Sequence, residues 1–260
     1  MRAAAATLLA LLALAAPASA KTETASSGAV RAELSYTERS DRAPTDIELR
    51  VLRDGEEIVR KALPDDRFLL PLAGGAVVTR DLDGDGEAEA LFSLFTGGAH
   101  CCVLTYLFDG TDEIEENWGN PGYALRDFQR DGVPEFETAD DAFNYRYSSY
   151  ASSLPPLKVL RLVDGKLVDV TREPAMRPAL RTEAARYKRI YQRFRPRARK
   201  DPILREVLRS SLAGHAADQC SLGACAKGYA LIRAAQRRGD VIGFLRTVRR
   251  DLRRLGYDDR

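Results

Sequence analysis

Two histidines and four cysteines are all the imidazole and thiol in 260 residues, and they are scattered: His100 and Cys101-Cys102 in the middle, His215, Cys220 and Cys225 near the end. A zinc centre needs several such ligands close together, so none is expected. His100 beside Cys101 does not make a catalytic pair, because neighbours in a strand point to opposite faces. Also missing are a G-x-S-x-G nucleophile turn, a P-loop and a dinucleotide-binding glycine pattern. No stretch after residue 20 is apolar and long enough to span a bilayer, and no cysteine stands at residue 20 or 21 to carry a lipid. The formal net charge is only +2, which selects no polyanionic partner for the whole chain, and nucleic acid is not an expected partner.

The beginning of the chain is distinctive. Met1-Arg2 is a short positive start, Ala3 to Ala16 is an apolar run, and Pro17-Ala18-Ser19-Ala20 supplies small residues for cleavage. That pattern is a secretory signal peptide over 1–20, and it predicts a secreted, periplasmic or cell-envelope protein starting near Lys21. In an oxidising compartment the four cysteines read as two disulfides. Cys220 and Cys225 flank a short turn and are expected to pair. Cys101 and Cys102 then form a vicinal bond, with crosslinks between the two pairs as the alternative.

Charge is unevenly distributed. From Asp81 to Asp141 sixteen Asp and Glu stand against Arg126 and Arg130, whereas from Arg172 to Lys200 eleven Arg and Lys stand against Glu173 and Glu183. Such asymmetry predicts contact between the halves, a metal on the acidic side or an anionic partner on the basic side. On the basic side Arg186, Arg189, Arg193 and Arg197 form a candidate anion-binding face, with an ordinary solvated helix face as the plainer reading.

Periodicity divides the chain into an α+β fold with a mostly antiparallel β region over 21–172, propeller-blade-like or a sandwich, and a helical region over 173–260. Ile47, Leu49 and Val51 alternate with polar residues, and Asp54-Gly55, Asp109-Gly110 and Asp164-Gly165 each separate β-rich runs as hairpin turns. A repeat is visible: Arg80-Asp81-x-x-x-Asp85-Gly86-x-x-Glu89 aligns with Arg126-Asp127-x-x-x-Asp131-Gly132-x-x-Glu135. After Pro174, Leu180, Ala184, Tyr187, Tyr191 and Phe194 make a helical stripe that Pro196 is expected to end. Asp201-Pro202 reads as a cap and first turn for a helix with Ile203, Leu204, Val207, Leu208 and Leu212 on its apolar stripe. Tyr229 to Ala235 reads as a third helix, and Asp240 as the cap of a last one that Gly256 stops.

The acidic segment Asp81-Leu82-Asp83-Gly84-Asp85-Gly86-Glu87-Ala88-Glu89 has the chemistry of a hard-cation loop. Asp81, Asp83 and Asp85 alternate and can converge, Gly84 and Gly86 permit sharp turns, Glu87 offers a backbone carbonyl, and Glu89 closes the set. An EF-hand needs its closing acid at position twelve, where this chain has Phe92. The flanks, Val77-Val78 and Leu91-Phe92, are strand-like. Acid at position nine between strands resembles the D-x-D-G-D-G-x-x-[DE] loops of FG-GAP and VCBS-type repeats of the integrin α propeller and many bacterial exported proteins. The stretch from Asp81 through Thr96-Gly97-Gly98-Ala99-His100-Cys101-Cys102 looks like uncharacterised exported proteins of that kind. The resemblance implies Ca2+ at Asp81, Asp83, Asp85, Glu87 and Glu89 and a role in structure or adhesion. The second copy departs from the pattern, with Gln129 in place of an Asp and Arg130 in place of a glycine. Asp127, Asp131 and Glu135 then hold at most a weak ion, and Arg130 is expected to balance the carboxylates. The expectation is a calcium-binding exported protein with a non-catalytic binding or structural role toward an envelope or extracellular ligand, such as an anionic polymer. The alternative is a secreted hydrolase using paired carboxylates.

Overall fold

The structure, a computed structural model, describes residues 19–38, 42–65, 69–73, 75–98 and 101–258. The leader through residue 18 and His100 lie outside the described residues, as does the side chain of Cys101.

The β region contains three antiparallel sheets. The first runs β1 (Ser19–Ser27), β2 (Val30–Glu38), β3 (Thr45–Arg53) and β4 (Glu56–Ala62), each strand beside the next. The second is built on β7 (Glu89–Gly98), with β8 (Cys101–Asp109) and β9 (Asp112–Asn117) following on one side. Its other edge is a broken strand, β5 (Leu70–Pro71) and β6 (Val77–Arg80), both paired to β7. The third runs β10 (Ala124–Arg126), β11 (Glu135–Ala139), β12 (Leu157–Val163) and β13 (Lys166–Asp169). No barrel closes among them.

The repeat in the sequence maps onto the second and third sheets. In each, an acidic loop joins the first strand to the second, with Arg80 opposite Glu89 and Arg126 opposite Glu135 in the register. A tight turn joins the third strand to the fourth. Asp54-Gly55 and Asp164-Gly165 are two-residue turns with both residues at positive φ, the geometry that matches strand twist. Asp109-Gly110 behaves differently. Asp109 is still in strand, paired with Asp112, and the turn is Gly110-Thr111.

The sheets stack because β7 is buried on both faces. Its Ala90, Phe92 and Leu94 pack with Leu34 and Leu49 of the first sheet. Leu91 faces the other way, with Phe136, Leu160 and Leu162 of the third. A strand covered on both sides loses the polar alternation of a half-exposed one, which explains the run Ala90-Leu91-Phe92. The far side of β12 carries Leu157 and Val159 onto Met176 and Leu180 of the helical region. β1 was not foreseen: its side chains are largely exposed, so it has no core periodicity and is held by ladder bonds to β2.

The helices are α1 (Arg177–Ala198), α2 (Pro202–Ser221), α3 (Cys225–Arg237) and α4 (Phe244–Arg254). Three expectations need correction. Pro196 does not end α1, which runs to Ala198; so near a terminus proline disturbs only the last turn. Ile203 is 64% exposed and outside the apolar stripe, although Asp201 does cap α2 by accepting from the Ile203 and Leu204 N–H groups. Asp240 does not cap the last helix. Its carboxylate accepts the Tyr191 hydroxyl at 2.6 Å, and α4 begins only at Phe244, after Gly243. The Cys220–Cys225 disulfide forms as expected and ties α2 to α3. Cys102 is disulfide-bonded too; the vicinal pairing falls on the Cys101 side chain, outside the described residues.

Candidate metal centre

The loop between β6 and β7 is folded by its own carboxylates. Asp81 accepts the Gly84 N–H at 2.7 Å on one oxygen and the Gly86 N–H at 3.1 Å on the other. Asp83 accepts from the Asp85 N–H at 3.1 Å, and Asp85 from the Glu87 N–H at 2.7 Å. Each short acid thus turns the chain two to five residues on. Gly84 and Gly86, at φ +87° and +91°, occupy the left-handed region where a side chain is strained. Glu89, the first residue of β7, closes the loop by accepting the Leu82 N–H at 2.6 Å.

This folding gathers three carboxylates. Oxygens of Asp81, Asp83 and Glu89 lie within 4.8 Å of one another, and this is the one such group of His, Cys, Asp or Glu among the described residues. Glu89 is only 1% exposed. Its carboxyl is pushed up to about 8, first by burial and then by the charges of Asp83, Asp109 and Asp81, against the Leu82 N–H that pulls it down. Buried acids crowded by other acids and offering only oxygen match what a hard cation requires; a divalent charge there would reverse the local repulsion.

Asp85 and Glu87 stand outside this group. The Asp85 carboxylate is occupied with the Glu87 N–H, and the Glu87 side chain pairs with Arg53 at 2.7 Å. The Glu87 side chain is thus engaged away from the cluster. Asp109 is a neighbour that sequence reasoning missed. Burial raises its carboxyl, then the charges of Asp83, Asp85 and Asp112. Read as half of an Asp-Gly turn, it gave no site signal; the β7–β8 register, with Ala90 opposite Phe108, places it next to Glu89. A cavity of about 280 Å³ lined by Gly28, Arg53, Asp81 and Glu87 opens beside the loop.

The second loop has the same backbone design. Asp127 accepts from Arg130 at 2.6 Å and Gly132 at 2.9 Å, Asp131 from Val133 at 3.0 Å, and Glu135 from Phe128 at 2.9 Å. Its buried glutamate already has a cation, though not Arg130 as expected. The second Glu135 oxygen takes the Gln129 amide at 3.1 Å and the Arg161 guanidinium at 3.0 Å. Asp127 is held below the ordinary carboxylate range chiefly by the Gly132 N–H, with Arg80 adding to it. Arg130 instead sits at φ +63°, where the first loop has Gly84.

Arg186, Arg189, Arg193 and Arg197 lie along one exposed stripe of α1. Arg186 bonds Glu183 at 2.7 Å and stacks over Tyr187. His215 is buried, its Nδ1 2.8 Å from the Ala184 carbonyl oxygen. No helix among the described residues is long and apolar enough to cross a membrane.

An α+β protein of three stacked antiparallel sheets, an acidic hairpin loop and a helical region is what fold and site define. The chain is 39% identical over 103 residues to a "Probable thylakoid lumen protein" of Synechocystis sp., and 33% identical over 102 residues to an "Uncharacterized protein" of Sinorhizobium fredii. These matches cover 36% and 37% of this chain, and it spans only 30% and 16% of the length of the curated relatives it matches. No family model and no solved structure matches it.

Proposed function

We propose that this is an exported, calcium-binding protein in which the metal fastens the β6–β7 hairpin, and that its role is non-catalytic binding or structure toward an envelope or extracellular ligand. The observation that carries this reading is the meeting of Asp81, Asp83 and buried Glu89 without a neutralising cation among the described residues. The resemblance of the loop to FG-GAP and VCBS-type repeats supports it. The signal-peptide pattern and the description of the Synechocystis relative as a probable thylakoid lumen protein support export. Calcium accepts irregular oxygen cages, whereas magnesium holds its water and demands a tighter octahedron, so the loop should favour calcium. Isothermal titration of the metal-stripped protein with each ion tests this. One calcium site, with magnesium much weaker, is the expected result; no calcium binding would overturn the reading.

A further inference from the structure

One end of the helical region joins exposed apolar tips to a dense field of cations. There the α1–α2 turn lies beside the α3–α4 turn. The Arg238 guanidinium of the second turn donates to the Tyr191 hydroxyl of α1 at 2.8 Å. A cavity of about 340 Å³ between the turns is lined by Arg195, Pro196, Arg199, Arg238 and Asp240. Each turn presents one isoleucine. Ile203, in the first turn of α2, is 64% exposed, and Ile242, just before α4, is 91% exposed. Their neighbours Leu204, Val241 and Phe244 pack into the helical core, so these two tips do not serve the fold.

The charge around them is one-sided. Between Arg195 and Glu206 five Arg and Lys stand against Asp201 and Glu206, and between Arg237 and Arg246 three Arg stand against Asp240. All three carboxylates are committed, Asp201 to the α2 N-terminus, Glu206 to Ser149, and Asp240 to Tyr191 and Arg238.

We propose that this end of the helical region docks on an anionic lipid bilayer, with Ile203 and Ile242 entering between headgroups and the surrounding guanidinium groups meeting their phosphates. A bilayer offers a negative surface and an apolar layer just beneath it, which is the complement of this end. A soluble polyanion would use the arginines and leave the isoleucines without a role. The acidic stretch from Asp81 to Asp141 would be repelled by the same surface, orienting the protein with its sheets away from the lipid.

Flotation of the purified protein, lacking its leader, with vesicles of phosphatidylcholine alone or mixed with phosphatidylglycerol tests this. Binding only to phosphatidylglycerol vesicles is expected, weakening with salt. Ile203→Ser with Ile242→Ser should lower binding at least about tenfold. Arg199→Glu with Arg246→Glu should abolish it, and all variants should melt like the parent. Absence of binding to phosphatidylglycerol vesicles would overturn the proposal. So would unchanged binding by the isoleucine variant, the behaviour of a general polyanion face that a heparin column would reveal.

Discussion

Arg161 lies 3.0 Å from Glu135 and brings to the second loop the positive charge that Glu89 lacks in the first. The two glutamates occupy equivalent places at the start of β7 and β11, and each accepts a backbone N–H from seven residues earlier. Both are about 1% exposed. One backbone design has therefore been given two solutions for a buried carboxylate: an internal guanidinium in one copy and, on our reading, a metal in the other.

The metal reading predicts a stability response. A ligand bound only by the folded state adds RT ln(1 + [L]/Kd), so calcium at about one hundred times Kd raises stability by about 2.7 kcal/mol. Thermal unfolding in calcium should exceed that in EDTA, with magnesium between. Asp83→Ala should remove most of the difference, whereas Gln129→Ala should not touch it. Equal melting temperatures in EDTA and calcium would show the loop to be only a turn.

Removal of Arg161 should be costly. Arg161→Met leaves buried Glu135 with the Phe128 N–H and the Gln129 amide but no cation, and also loses the 2.8 Å pair with Glu173. Breaking one side of a fully buried pair costs about 3–5 kcal/mol, and because the guanidinium is partly exposed the loss here should be nearer 2–3 kcal/mol. Adding Glu135→Gln should recover much of it. Chemical denaturation of the single and double variants measures both; additive losses would mean the two side chains act independently.

The Cys220–Cys225 bridge closes a short loop, so the chain-entropy estimate of its worth is about 2 kcal/mol. Replacing both cysteines by serine should lower the unfolding free energy by that order. Mapping without reduction should find both in one unbranched tryptic fragment running from Ser210 to Lys227. A fragment joining the 220/225 region to the 101/102 region would contradict the pairing.

Buried Asp218 should impose a pH dependence. One oxygen accepts the Leu157 N–H at 3.2 Å and the other has no partner. Burial pushes its carboxyl well above the ordinary 3.8, the charge of Glu183 adds to that, and the Leu157 N–H and Arg186 oppose it. Because the folded value is raised, the protonated form's contribution is full below about 3.8 and is lost as pH climbs through the folded value. Asp218→Asn should therefore stabilise the protein at neutral pH, the gain fading as pH falls toward 3.8. His215 works in the other direction. Burial lowers its value, so its contribution is present above about 6.5 and is lost as pH falls. Melting temperatures of both proteins across pH check the sign; a gain that grows in acid would refute it.

What the sequence determined by itself is local. Alternation of Ile47, Leu49 and Val51, Asp-Gly at two turns, the Asp201-Pro202 start of α2 and the spacing of Asp81, Asp83 and Glu89 are all written within a few residues, because turn chemistry and strand or helix period act at that range. The repeated acidic loop was legible for the same reason, down to matching hydrogen bonds in both copies. Tertiary structure decided whatever depends on neighbours distant in the chain. Stacking of the second sheet between the other two buried β7 on both faces, pairing to β8 brought Asp109 to the acidic cluster, and packing of β12 beside β11 delivered Arg161 to Glu135. Electrostatic balance is set by distance in space, and no local pattern around Glu89 or Glu135 states which of them has a guanidinium waiting across the sheet.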